Sequence, residues 1–314
     1  MKNSRVRLYS FIILLLAAAS ASVIFSCRTK RATQATAADR IITISPNITE
    51  IAYSLGLGDR IIAVSSDSDW PAQAKEKIQV GSFWQPNIEA IIAAKPDLVI
   101  TEAFEQQKTV ADNLCRLGIA VLTLQVDTID QMREAILQIG IAARCRQEAE
   151  KVSIDIDTQI NNLRSKFARA KKTKTLWVVQ PEPLRVAGRN TFINELIEIA
   201  GGENAIGQTI QQYPQIGEEE LLTCPAEVII QSAMGKTGLQ EQQKEAEKIW
   251  AKQTNLPAVK MGRIYVVNSD LVLRLGPRLP QGIETISRLL HPEQLGENDR
   301  NENKEQNGST TIND

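Results

Sequence analysis

Aromatic and charged side chains recur in the short segments that follow strand-like runs of this 314-residue chain. Asp67, Asp69 and Trp70 lie in 65–71 (SSDSDWP), and Phe83 and Trp84 lie in 81–87 (GSFWQPN). Glu102 and Phe104 follow the run 98–101, and Tyr213 sits in 211–215 (QQYPQ). Arg185 ends 180–185 (QPEPLR), and Arg274 ends the segment 270–274. Aromatics make up only 4% of the chain. Their gathering in loops, where core burial is least expected, points to ligand contact rather than packing. Flat, rigid rings give apolar area at little entropic cost, which suits a macrocycle or an aromatic chelate held without covalent change.

Catalytic chemistry is poorly served. There is one histidine, His291, and no GxSxG elbow, GxxxxGK[ST] loop or HExxH pair. Asp67, Asp69 and Glu102 would make an acid/base set, but polar binding accounts for them equally, so a hydrolase is the weakest reading. A free zinc or manganese ion would need several imidazoles. Any metal must therefore arrive inside a chelate, and no intrinsic cofactor is expected. A net charge of −1 offers no basic face for nucleic acid. A tethered scaffold with an empty cleft is the rival from another functional class.

The elements that position these loops alternate. Strand-like runs at 41–44, 61–65, 98–101 and 120–125 are separated by helix-like stretches at 49–57, 88–94 and 108–117. Strands at 176–180, 227–231 and 264–268 follow, with helices near 192–200, 218–222, 241–253 and 282–290. That order predicts two α/β lobes with parallel-type sheets, 40–146 and 172–292. Between them, 147–171 has neither Gly nor Pro. Its apolar residues Ala149, Val152, Ile156, Ile160, Leu163, Phe167 and Ala170 stand three or four apart. The stripe predicts one rigid connecting helix, about 35 Å long at 1.5 Å per residue. Ligands of open α/β sheets bind beyond the strands' carboxyl ends, so the loops above should face a cleft between the lobes.

The ends of the chain read differently. Lys2, Arg5 and Arg7 precede an apolar run from Leu8 to Phe25, the plan of an export signal. Residues 24–27 (IFSC) resemble a bacterial lipobox, which would lipidate Cys27 and remove 1–27; an uncleaved anchor is the alternative. Either tethers the exported body. A polar leash at 28–39 and a disordered tail at 293–314 complete the domain plan. Cys115, Cys145 and Cys224 are an odd set and receive no function.

The ordered segments 41–50 (IITISPNITE), 64–71 (VSSDSDWP), 80–91, 95–100 (KPDLVI), 200–204 (AGGEN), 213–222 (YPQIGEEELL) and 275–291 (LGPRLPQGIETISRLLH) resemble a known family. It is that of the ABC-transporter substrate-binding proteins for cobalamin and ferric siderophores, whose two lobes are joined by a long helix. The resemblance is greatest to the cobalamin-binding branch. It implies a non-enzymatic, monomeric receptor that hands its ligand to an ABC permease and ATPase at the periplasmic or outer face of the cytoplasmic membrane. It places Phe83 and Tyr213 against a corrinoid, with Trp70 replacing a further aromatic and Asn47, Trp84 and Phe104 alongside. Asp67, Glu102 and Leu271 stand where that branch carries aromatics, and Arg185 where it carries an apolar contact. The implied pocket is therefore more polar, which keeps a ferric siderophore or haem open, with Arg185, Arg189 and Arg274 available to anionic groups. The resemblance also implies that surface acids Glu89 and Glu219, one per lobe, dock onto the permease.

Overall fold

The computed structural model describes residues 38–233, 235 and 237–294. Cys27, the export signal and almost all of the leash and tail lie outside the described residues. The first lobe is a five-stranded parallel sheet in the order β3-β2-β1-β4-β5. Its strands are β1 (Ile41–Thr43), β2 (Ile61–Val64), β3 (Ile78–Gln79), β4 (Leu98–Glu102) and β5 (Ala120–Leu124). The second lobe contains β6 (Thr173–Gln180), β7 (Arg185–Val186), β8 (Gly202–Asn204), β9 (Val228–Ser232) and β10 (Ile264–Val267). They run β10-β9-β6-β7, with β8 also on β6, and all pairs are parallel except β6 with β7. The two α/β lobes expected from the alternating pattern are present.

Each lobe has its own core. Ile42, Ile44, Ala63, Val99 and Leu114 pack together in the first, and Leu176, Val178, Ile229, Trp250 and Leu256 in the second. Strands buried on both faces explain why these runs read as continuous apolar stretches rather than alternating ones.

The connecting helix spans Arg146–Phe167, ending four residues before the expected 171. Its stripe buries Ala149, Ile156, Ile160 and Phe167. Beyond Phe167 the chain must turn into β6, and the Phe167 ring stacks on His291 at 5.3 Å, fixing the foot of the helix. The sole histidine is thus a buried structural residue, with Nε2 3.2 Å from the Gly201 carbonyl oxygen.

Several elements carry signals that the sequence reading did not use. The helix Ile129–Ala142 is one. Thr128 caps it by accepting from the Gln131 N–H at 3.2 Å, and Ile129, Met132, Ala135, Ile136 and Ile139 form its buried stripe. It lies against the connecting helix. Gly140 permits that approach: a Cβ there would come within 2.3 Å of the Ala149 Cβ. The first-lobe helix expected at 49–57 begins earlier, at Pro46 (Pro46–Ser54), because proline suits the first helical turn. On the other side, Phe192–Ile199 and Leu279–Leu290 also pack on the connecting helix. It is braced by both lobes.

A second tie crosses the lobes. Glu50, on the helix Pro46–Ser54, has a side chain only 2% exposed. It accepts from Arg278 Nε at 2.9 Å and Arg278 Nη2 at 2.5 Å, and from Arg274 Nη1 at 3.2 Å. Arg274 reaches on to Asp69 at 2.6 Å and Asp270 at 2.7 Å. Trp70 lies beside the Arg278 guanidinium, 4.6 Å from ring centroid to Cζ. Without Glu50, Arg274 would keep Asp69 and Asp270, but Arg278 pairs with Glu50 alone among the described carboxylates, and stranding a largely buried charge costs about 3–5 kcal/mol. Glu50→Ala is therefore expected to lower unfolding stability by about 3 kcal/mol in urea melts. Arg146→Ala, which removes an exposed pair with Glu150, should cost about 0.5 kcal/mol. Equal losses for the two variants would show that the Glu50 cluster does not fasten the lobes.

Candidate functional site: a ring-lined cleft between the lobes

Loops leaving the carboxyl ends of the parallel strands enclose a cleft of about 880 Å³. This is near the upper end of the roughly 300–1,000 Å³ typical of small-molecule sites. Its first-lobe wall is built around three rings. Phe83 meets Trp84 edge-on at 4.8 Å and Phe104 edge-on at 5.4 Å, and Trp84 lies 6.3 Å from Phe104. Trp84 remains 61% exposed, so the cluster presents itself to the opening instead of closing into a core.

Polar groups hold those rings in place. The Asp67 carboxylate accepts the Phe83 backbone N–H at 2.6 Å. From the other side Gln107, itself buried, donates its amide to the Phe83 carbonyl at 3.0 Å. Its Oε1 accepts from the Glu102 N–H at 3.0 Å and from the Thr101 hydroxyl. The ring-bearing loop is thereby pinned to the end of β4. Asp67, expected as a ligand contact, lines the cleft and also positions the aromatic loop.

Tyr213 stands on the second-lobe wall together with Phe192, Leu273 and Leu275. Its segment runs beside 184–188: Val186 N–H donates to the Pro214 carbonyl at 3.1 Å and Gly188 N–H to the Gln212 carbonyl at 2.8 Å. Gly188 is needed for this approach, since a Cβ there would meet the Gln212 carbonyl at 3.0 Å and Thr209 Oγ1 at 2.6 Å. Burial, then the Asp127 carboxylate, pushes the Tyr213 phenol above its ordinary value, so it stays protonated and able to donate.

Of the ligand contacts expected from sequence, Asn47, Asp67, Phe83, Trp84, Glu102, Phe104, Tyr213 and Arg274 all line this cleft. Trp70 and Arg185 do not. Trp70 borders a separate cavity of about 770 Å³ beside Arg278 and Tyr53. Arg185 is exposed behind the Tyr213 loop, with Nη1 3.5 Å from the Tyr213 carbonyl. Arg274 touches the cleft while its guanidinium is engaged by Glu50, Asp69 and Asp270. Sequence reasoning missed Asp127, Thr128, Thr191, Phe192, Glu195 and Glu198. The available signal was Thr128 and Thr191, each capping a helix that starts at the cleft edge. Glu89 and Glu219 are both exposed in the first turns of the helices Ile88–Ala93 and Glu218–Thr223.

Glu102 is the buried acid of the site, 5% exposed at the end of β4. Burial raises its carboxyl from 4.5 to about 7; Asp127 adds to the shift, while Ser45 and Asn47 hydrogen bonds oppose it. The folded protein thus keeps this proton to a higher pH than the unfolded chain does. The resulting penalty is absent below pH 4.5, grows as pH rises to about 7 and is then constant at about 3 kcal/mol. Glu102→Gln should remove that slope from stability measured by urea melts across this range. Parallel wild-type and variant curves would contradict the buried-acid assignment.

Known proteins share this fold. A sequence model described as periplasmic binding protein matches residues 41–271. A vitamin B12-binding protein of Yersinia pestis (strain Pestoides F) is 30% identical over 245 residues, covering 78% of this chain and 84% of its own. The crystal structure of the periplasmic vitamin B12 binding protein BtuF of Vibrio cholerae superposes with a TM-score of 0.70 at 28% identity, over 83% of this chain and 99% of that one. The periplasmic haem binding protein HutB of Vibrio cholerae shares the fold, with a TM-score of 0.71 at 24% identity, over 81% and 99% of the two chains. The chain belongs to the periplasmic binding protein family and is a solute-binding component of transport, not an enzyme.

Proposed function

We propose that this chain is the substrate-binding lipoprotein of an ABC importer, anchored through Cys27, and that it captures a corrinoid such as cobalamin. The observation that carries this reading is the set Phe83, Trp84 and Phe104 on one wall of an 880 Å³ cleft with Tyr213 on the other. Rings on both walls suit a broad, flat guest, whose apolar faces they cover without covalent chemistry. The likeness to vitamin B12-binding proteins supports the same guest. Haem is the competing reading, supported by the shared fold of the HutB protein.

Release goes to a membrane permease and its ATPase. Glu89 and Glu219 serve as the docking acids, one on each lobe. Glu220 is occupied by the Gly217 N–H at 3.1 Å, while its neighbour Glu219 remains exposed for a partner. Carboxylates on separate lobes would report lobe spacing, and such rim charges act mainly on orientation and encounter rate.

Titration calorimetry with cobalamin tests the capture step, and haemin under the same conditions tests its competitor. Phe83→Ala with Tyr213→Ala should weaken cobalamin binding about 100-fold while the thermal midpoint stays near wild type. Unchanged titration heats would remove the cleft from the account. Glu89→Lys with Glu219→Lys should abolish uptake by cells yet leave the calorimetric affinity intact; uptake that persists would refute docking through these acids.

A further inference from the structure

The cleft is acidic, and its arginines are already engaged. Asp67, Glu102 and Asp127 line the first-lobe wall, and Glu195 and Glu198 line the second. The basic side chains on the same surface are Arg189 and Arg274. Arg274 is held by Glu50, Asp69 and Asp270, as described above. Arg189 donates from Nε to the Ile206 carbonyl at 2.9 Å and from Nη2 to the Asn204 carbonyl at 3.1 Å and Glu203 at 3.3 Å. Asp127 and Glu198 are satisfied by neutral donors, Gln125 Nε2 at 2.8 Å and Asn194 Nδ2 at 2.9 Å, and Glu195 lies in the field of Arg164.

These acids do not gather around a point. Among the described residues no three metal-binding side chains are close enough to hold an ion. Instead they share both walls with the rings, and a flat guest whose faces the rings cover would turn its rim toward them. A carboxylate on that rim would be set against Asp67, Asp127, Glu195 and Glu198, and like-charge juxtaposition is a strong means of rejecting a wrong partner. A primary amide on the same rim would donate its N–H groups to them.

We propose that the cleft selects its guest by rim chemistry: it accepts a macrocycle bearing amides and rejects the same macrocycle bearing carboxylates. This rests on the corrinoid reading for the identity of the ring system but concerns a separate property, the charge that the guest presents. Half-buried Glu195 and exposed Glu198, on the helix Phe192–Ile199, are specificity-determining residues on the second-lobe wall.

The test compares two ring systems, each in two charge forms, on the full-length protein. The probes are cobinamide against cobyrinic acid, its carboxylate-rimmed counterpart, and haemin dimethyl ester against haemin. Cobinamide should bind about 100-fold more tightly than cobyrinic acid. Glu195→Gln with Glu198→Gln should shrink that ratio about tenfold, chiefly by improving the carboxylated guest. Equal affinity for the two corrins would overturn charge selection even if corrin capture stands. An unchanged ratio in a normally melting double variant would overturn the role of these two glutamates. If neither corrin binds but the haemin ester exceeds haemin, the corrinoid reading fails and charge selection survives. Binding of none of the four would end both.

Discussion

The buried Glu50 carboxylate is the constraint on which the arrangement depends. It belongs to the first lobe, yet both guanidiniums that satisfy it come from the second. A carboxylate this deeply buried is tolerable only when paired, so the lobes cannot separate at that seam without stranding charge. The connecting helix imposes the same restriction by other means. It packs on Ile129–Ala142 from one lobe and on Leu279–Leu290 from the other, so a hinge would have to break side-chain packing rather than bend a loop. A covalent strut and an ionic clasp together hold the two walls at a nearly fixed gap.

That fixed gap gives the ring-bearing loop its importance. Phe83 is restrained through both its N–H and its carbonyl, by Asp67 and Gln107, so its ring is set before any guest arrives. Preorganisation of this kind reduces the ordering cost of binding. The polar residues that make the pocket look unlike a purely aromatic one therefore divide into two jobs. Asp67 and Gln107 shape the apolar wall, whereas Asp127 and the glutamates opposite give the opening its charge.

Much of this was legible in the sequence wherever the signal is local. The apolar stripe from Ala149 to Phe167 announced the connecting helix, and loops after strands announced Phe83, Trp84, Phe104 and Tyr213. What depended on remote partners was not legible. Trp70 looked like a ligand contact, and Arg274 like an unengaged one, because Arg278 and Glu50, more than 200 residues away in each case, give no trace in the local pattern. Arg185 differs for another reason: it lies in β7, paired antiparallel with Gln180 of β6, and its exposed side chain stands behind the Tyr213 loop. Asp127 and Glu195 were overlooked because each sits at an ordinary capped helix start, and only the meeting of the lobes makes those starts part of a site.

The four tryptophans fall into unlike environments. Trp177 and Trp250 are fully enclosed, at 0% and 3% exposure, whereas Trp70 and Trp84 meet water at 49% and 61%. Of the exposed pair, Trp84 belongs to the cleft and Trp70 to the seam beside Arg278. The molecule therefore carries its own optical gauge. A coloured guest drawn against the indole of Trp84 would quench part of the solvent-sensitive emission, and a shift in the remaining red-side light would report strain at the seam, with no dye attached.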